Sequence, residues 1–341
     1  MQTPAVSVIM NVRNGARTLA SAIASVRAQT CTDWELVLWD DGSSDGSLAL
    51  AQGVADARIR CFQSPQPTHL GAARRQAINQ ARGRWIAFLD QDDLWLPDKL
   101  QLQLRCVVPG VVPGVVPGVV PDVGLVYGRT VAFRDSGSDS GSDGSGGARR
   151  DFDRHHEFGL LPEGDIFELL VQRSCFICMS SAMLLRDTVT ALDDWPDWLH
   201  VTPDYHLFLA VARHHAARAV QVPVCQYRVH AAGMTAANLG RIQQEALWLL
   251  AHWQADLPAP LRQQRERVHH TVLAYVELGT SGQRVYGLKR LWQQGSLLFL
   301  LTRPWARGWR AVRRRVQRPF WRAALLEQGL PIPTAPEDVT P

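Results

Sequence analysis

The stretch "VSVIMNVRNGARTLASAIASVRAQTCTDWELVLWDDGSSDGS", residues 6–47, decides the fold. Its first five residues, Val6 to Met10, form a continuous apolar run ending at "NVRNG", which reads as a buried strand and a turn. Leu19, Ile23 and Val26 then recur at helical spacing, one apolar stripe facing a core. "WELVLWD" (34–40) is a second strand, and "DDGSSDGS" stops it. Strand, helix and strand in immediate succession imply parallel strands joined by a right-handed crossover.

The alternation continues outward. Leu48, Ala51 and Val54 support a second helix, "RIRCF" (58–62) a short third strand, and Leu70, Ala73, Ala77, Ile78 and Ala81 a third helix that Gly83 stops. "RWIAFL" (84–89) is a fourth strand. It runs straight into "DQDD", which puts Asp90, Asp92 and Asp93 within four positions. Like charges this close repel one another. In an open α/β sheet ligands bind beyond the carboxyl ends of the strands. Asp40 and Asp41 follow strand two and Asp90 to Asp93 follow strand four, so both acidic clusters are expected at the same edge.

The whole chain sets wider bounds. Its 341 residues suit one large or two modest domains, and 46% hydrophobic with 20% charged residues is ordinary for a soluble globular protein. A net charge of +4 gives no nucleic-acid footprint. Six cysteines without regular spacing fit a reducing compartment. Cys175 and Cys178 form a lone CxxC; two buried apolar residues are expected there ahead of a metal or redox pair. No leader-like segment and no apolar run long enough to span a bilayer is found.

"VVPGVVPGVVPGVVPD" (107–122) repeats every four residues, and its prolines forbid a helix or a central strand. "DSGSDSGSDGSGG" (135–147) is polar low complexity. Both are expected to be surface loops. Farther on, "VGLVYG" (123–128) reads as a strand, "FELLVQ" as helix and "MSSAMLL" as strand. "TPDYHLFLAVA" (202–212) reads as a helix with Thr202 at its cap and Pro203 at its first position. "AVQVPVCQYRVH" (219–230) looks extended, and helical patterns rich in Trp and Arg dominate the rest. The expected organisation is a catalytic domain over 1–235 and a helical region over 236–341.

Carboxylates spaced Asp-x-Asp are hard oxygen ligands suited to Mg²⁺ or Mn²⁺, and a cation so placed stabilises a diphosphate leaving group. The alternative for Asp93 or Asp98 is complementing the dipole of the helix after Pro97. On these residues, together with "GAARRQAINQARGRWIAFLDQDDLWLPDKL" (71–100) and, more weakly, "VGLVYG", "TPDYHLFLAVA" and "YRVHAAGMT", the chain resembles the family 2 glycosyltransferases of the GT-A fold. The resemblance implies a mostly parallel, Rossmann-like α/β sheet flanked by helices, here with a helical C-terminal extension. It also implies inverting transfer of a sugar from a nucleotide-diphosphate sugar, UDP-type favoured, to a glycan or lipid-linked acceptor in cell-surface or extracellular polysaccharide synthesis.

By the same resemblance Asn11, Val12, Arg13 and Asn14 line the nucleotide pocket, with Arg13 where the family has an aromatic. Asp41 accepts from the base edge, Arg74 reaches nucleotide or phosphate, and Gln91 lies with Asp90 along the donor. Asp92 is the direct metal ligand, and Asp90 contacts ribose or metal. Asp204 is the general base, although Pro203 replaces the family's Glu before it. Tyr227, Arg228 and His230 match the family's Tyr-Arg-x-His, with Arg228 and His230 approaching the diphosphate or metal. "RPWARGWRAVRRRVQRPFWRA" (303–323) is a basic amphipathic helix with Trp305 and Trp309 on its apolar face. It fits either contact with the inner face of the cell membrane by a cytoplasmic enzyme or packing on the catalytic domain. Two rival readings are a nucleotidyltransferase, which releases pyrophosphate, and a non-catalytic sugar-nucleotide or glycan-binding homologue.

Overall fold

A computed structural model describes residues 3–107, 122–133, 152–153, 159–193, 195–229, 238–280 and 283–293. Residues 108–121 of the Pro-Gly repeat, the polar loop of 135–147, His230 and the segment 303–323 lie outside the described residues. The chain divides into two compact units, Met1–Ala236 and Ala237–Pro341.

The first unit is built on a nine-stranded sheet. Its strands are β1 (Val6–Val12), β2 (Trp34–Asp40), β3 (Ile59–Gln63), β4 (Trp85–Phe88), β5 (Leu94–Trp95), β6 (Val123–Phe133), β7 (Phe152–Asp153), β8 (Met183–Leu185) and β9 (Ala216–Arg228). The spatial order is β3-β2-β1-β4-β8-β6-β9-β5, with β7 paired to β6. The first half is parallel, β1 lying between β2 and β4 and β2 beside β3. The second half is mixed: β8 is antiparallel to both β4 and β6, while β6 and β9 run parallel.

The parallel half follows directly from the sequence. β1 and β2 are buried on both faces, as unbroken apolar runs require. Helix α1 (Ala16–Arg27) buries Leu19, Ile23 and Val26 against them. Helices α2 (Ser47–Gln52) and α3 (Leu70–Ile78) complete the crossovers. α3 ends at Ile78, short of the expected Ala81, because the chain must turn into β4. Gly83 approaches β1 so closely that a Cβ there would lie 2.6 Å from the Ser7 nitrogen.

Helices α4 (Lys99–Arg105), α5 (Phe167–Arg173), α6 (Arg186–Thr190) and α7 (Pro203–Ala212) serve the second half. "MSSAMLL" divides, contrary to expectation, into a 3-10 turn (Met179–Ser181) and the short β8. α7 is buried on nearly every side, a broader burial than its expected single face. Thr202 occupies its cap position without a side-chain capping bond.

The second unit contains α8 (Leu239–His252), α9 (Ala259–Gly279) and α10 (Arg284–Gln293). No helix among the described residues is long and apolar enough to cross a membrane. Gln243 and His269 join α8 to α9 through a buried 2.7 Å contact. Burial, then the Arg265 and His270 charges, depress the His269 imidazole to about 3. An unfolded histidine takes up its proton near pH 6.5, so between about 6.5 and 3 the unfolded unit binds the proton that the folded one refuses. Stability is unaffected above that window and falls with acidification inside it, by up to about 1.4 kcal/mol per pH unit. Amide exchange, corrected for intrinsic rates, should show protection over 239–279 falling from pH 6.5 towards 4, and His269→Gln should flatten that dependence.

Candidate active site

Parallel pairing brings the carboxyl ends of β1, β2 and β4 to one edge. Val12 is in register with Asp40, and Ile9 with Phe88. The chain leaving β1 is then laced to the loop after β2. Asn14 adopts a left-handed conformation (φ 51°); its N–H donates to Ser43 Oγ at 3.0 Å and its Oδ1 accepts from Ser44 N at 2.9 Å. Gly15 N donates to Ser47 Oγ and Ala16 N to Asp45 Oδ2, each at 2.9 Å, which satisfies N–H groups at the start of α1. The Asn14 side chain thus shapes the loop at the carboxyl end of β1. Val12 likewise packs in the core, and its carbonyl accepts from Asp41 N at 2.8 Å.

Arg13 joins the two acidic clusters. Its N–H donates to Gln91 Oε1 at 2.9 Å and its carbonyl accepts from Gln91 Nε2 at 3.3 Å, so the amide pairs with the backbone as a strand would. A Cβ on Gly15 would press on the Gln91 amide, which would have to swing out of this pairing. The Arg13 guanidinium lies 4.0 Å from Asp41. Asp41 is only 5% exposed. Both its oxygens accept from Thr68 N at 3.0 Å, and Oδ1 accepts from Thr68 Oγ1 at 2.8 Å. Thr68 carried no signal in the sequence: a loop threonine acquires a role only when folding sets it against Asp41. Asn11 Nδ2, near the end of β1, is buried without a hydrogen-bond partner.

The second cluster gathers groups far apart in the chain. Arg74 on α3, almost fully buried, donates to Asp90 Oδ1 at 3.5 Å. Asp90 is half-open to solvent, yet its carboxyl is raised to about 6. Removal from bulk water is the main cause; the charges of Asp92 and Asp204 add to it, and Arg74 opposes them. Asp204 belongs to this group because the segment before α7 is fastened to the start of α3. Gly71 N donates to Leu199 O at 3.0 Å, Trp195 Nε1 donates to Gly71 O at 2.9 Å, and the His69 and His200 rings meet at 3.6 Å. The Asp204 Oδ1 accepts from Tyr205 N at 2.8 Å, which fixes its carboxylate in the first turn of α7.

Arg228 ends β9 beneath the same turn. Its Nε donates to Asp92 O at 2.7 Å and its guanidinium lies over the Phe133 ring, 4.6 Å from the centroid. It holds the Asp92 backbone, a contact the sequence did not suggest. Asp98 stands at the cap position of α4, and its carboxylate accepts from Thr30 Oγ1 at 2.9 Å. The CxxC cysteines are unlinked, with Cys178 buried and Cys175 partly so.

Asp92 and Asp204 therefore both act on the Asp90 carboxylate, and Arg74 only partly offsets them. The donor set is all oxygen and carries excess negative charge, which suits a hard divalent cation such as Mg²⁺ or Mn²⁺.

Residues 7–117 match the family model Glycosyl transferase family 2. Over 99 residues the sequence is 39% identical to the UDP-Glc:alpha-D-GlcNAc-diphosphoundecaprenol beta-1,3-glucosyltransferase WfgD of Escherichia coli, covering 29% of this chain and 39% of that protein. Over 100 residues it is 39% identical to the succinoglycan biosynthesis protein ExoO of Rhizobium meliloti, covering 29% of each. The match thus spans well under half the length of these relatives. Among solved structures, S. aureus TarS 1-349 in complex with UDP-GlcNAc superposes with a TM-score of 0.54 at 14% identity, covering 96% of this chain and 81% of that one. The mannosyltransferase PcManGT of Pyrobaculum calidifontis, in complex with GDP-Man and Mn²⁺, superposes with a TM-score of 0.56 at 16% identity, covering 96% and 85%. The mixed α/β sheet with flanking helices is the GT-A fold.

Proposed function

We propose that this chain, whose residues 7–117 carry a glycosyl transferase family 2 domain, is an inverting glycosyltransferase that moves a sugar from a nucleotide-diphosphate sugar to an acceptor hydroxyl. The observation that carries the reading is that Asp204, more than a hundred positions away, lies near enough to the half-open Asp90 carboxylate to act on it together with Asp92.

The roles follow from position. Asp41 and Arg13 form the polar end where the nucleobase binds, and the Asn11 amide is a buried donor for a ligand acceptor. Asp90 and Asp92 hold the divalent cation, Mn²⁺ or Mg²⁺, and Arg74 adds a fixed positive charge against the phosphates. When bound, the cation neutralises charge developing on the departing diphosphate. Asp204 takes the proton of the acceptor hydroxyl as its oxygen attacks the anomeric carbon. Attack and departure on opposite faces invert that centre, and the product is a glycoside plus a nucleoside diphosphate. The relatives' names, a diphosphoundecaprenol-linked acceptor and succinoglycan biosynthesis, support a lipid-linked glycan acceptor in polysaccharide assembly.

Thermal unfolding should be followed with UDP-glucose, UDP-GlcNAc and GDP-mannose, each with and without Mn²⁺. A ligand at about 100 times its dissociation constant stabilises the folded state by about 2.7 kcal/mol, a shift of several degrees. At least one donor should stabilise the protein in a Mn²⁺-dependent way, and turnover should release nucleoside diphosphate. Release of pyrophosphate would assign a nucleotidyltransferase. Donor binding without any turnover, across lipid-linked acceptors, would assign a binding protein.

A further inference from the structure

Asp93 is the third acid of the strand-end cluster and has no part in the roles above. It is 1% exposed, whereas Asp90 is half-open to solvent. Removal from water raises its carboxyl well above the usual range, with the nearby Cys178, Asp90 and Asp92 adding and the Ser180 hydrogen bond opposing. A buried acid is retained against such a cost when its bonds are specific.

Those bonds form a closed ring. Ser180 Oγ donates to Asp93 Oδ2 at 2.6 Å and itself accepts from Asp90 N at 3.1 Å. Asp93 N donates back to Asp90 O at 3.1 Å. The other carboxylate oxygen, Oδ1, accepts from Arg228 N at 2.9 Å, and Arg228 Nε donates to Asp92 O at 2.7 Å. The 3-10 turn that carries Ser180 is anchored in turn by Trp95 Nε1 donating to Ser180 O at 2.7 Å. The backbone on both sides of Asp92 is thus held by one buried carboxylate, whose oxygens accept from Ser180 and from the Arg228 backbone.

We propose that Asp93, acting through Ser180 and Arg228, is a positioning residue that fixes the 90–92 turn so that the Asp90 and Asp92 carboxylates converge on one divalent cation. The inference rests on the metal-dependent reading of that site. Outer partners that orient a ligand typically change metal affinity by about 10–100-fold when removed. The same carboxylate lies within 4.8 Å of the Cys178 and Cys225 thiols. Both its oxygens already accept hydrogen bonds and the buried Lys99 lies beside those thiols, so the group serves as an internal tie and not as a second cation site.

Ser180→Ala tests the ring with the least perturbation, since it deletes one hydroxyl. Asp93→Asn is the companion: both partners of Asp93 are donors, and an amide offers one acceptor for the two. Mn²⁺ is titrated against the protein in the presence of UDP, free Mn²⁺ is read by electron paramagnetic resonance, and thermal unfolding is measured in parallel. Expected is about 10–100-fold weaker Mn²⁺ binding in Ser180→Ala, a cooperative melt, and recovery of most of kcat at saturating Mn²⁺. Wild-type Mn²⁺ affinity in a folded Ser180→Ala protein would overturn the proposal alone, provided Asp92→Asn has lost the ion. Loss of the cooperative melt in Ser180→Ala would make the ring a structural tie and overturn it too. If the wild type binds no Mn²⁺, the metal reading falls first and the inference with it.

Discussion

Asp204→Asn is expected to lower kcat by about 10²–10⁴-fold, the usual contribution of a positioned general base, while donor affinity stays near the wild-type value. The substitution is nearly isosteric. The asparagine carbonyl can accept from Tyr205 N as the carboxylate does now at 2.8 Å, so the first turn of α7 keeps its geometry. What is lost is the capacity to take a proton. The change removes one of the negative charges beside Asp90, but it leaves Asp90 and Asp92, the two carboxylates that hold the cation in this reading, in place. Steady-state kinetics at saturating donor, with thermal unfolding ± Mn²⁺, check this. Wild-type turnover in a folded Asp204→Asn protein would remove the base assignment.

Asp92→Asn should have an effect at least as large, with a different signature. A neutral amide is a much poorer ligand for a hard cation than a carboxylate. The leaving diphosphate then departs without its counter-charge, a deficit of several kcal/mol, or about 10³-fold at roughly 1.4 kcal/mol per decade. The Mn²⁺-dependent part of the thermal shift should vanish, whereas Asp204→Asn should keep it. The pair of variants therefore separates cation binding from proton transfer. An Asp92→Asn protein that keeps both its Mn²⁺ shift and its turnover would show that the ion, if it binds, is held elsewhere.

Both expectations depend on contacts of unequal visibility in the sequence. Asp90, Asp92 and Asp41 could be read from local pattern, because each follows a short apolar run and parallel strands deliver their ends to one edge. The loop chemistry was less accessible. Nothing in the sequence showed that Asn14 would take a left-handed backbone and bond Ser44 across the two loops. Val12 is an ordinary core valine whose neighbour, Arg13, carries the contact. Thr68 and Ser180 were invisible, since a hydroxyl in a loop gains meaning only from what folding sets opposite it.

Asp93 shows the same limit from the other side. In the sequence it was one acid among three, with helix capping as its alternative role. Folding buries it and gives its two oxygens to Ser180 and the Arg228 backbone, while Asp90 and Asp92, its near neighbours, join a crevice. The Asp93 N–H closes a turn onto the Asp90 carbonyl, and a turn sends neighbouring side chains in different directions, so neighbouring carboxylates can meet opposite fates.

The order of β1, α1, β2 and the strands that follow was fixed by local rules: apolar runs of strand length, helical spacing between them, and the handedness of the crossover. Those rules act over a few residues and survive without knowledge of the partner. The convergence of Arg74, Asp90 and Asp204, and the inward turn of Asp93, came from packing α3 against the segment before α7 and β9 beneath the acidic turn. Such pairings join positions a hundred or more residues apart, where no local periodicity records which side chain will face which, and only the competition for burial and hydrogen bonds settles it.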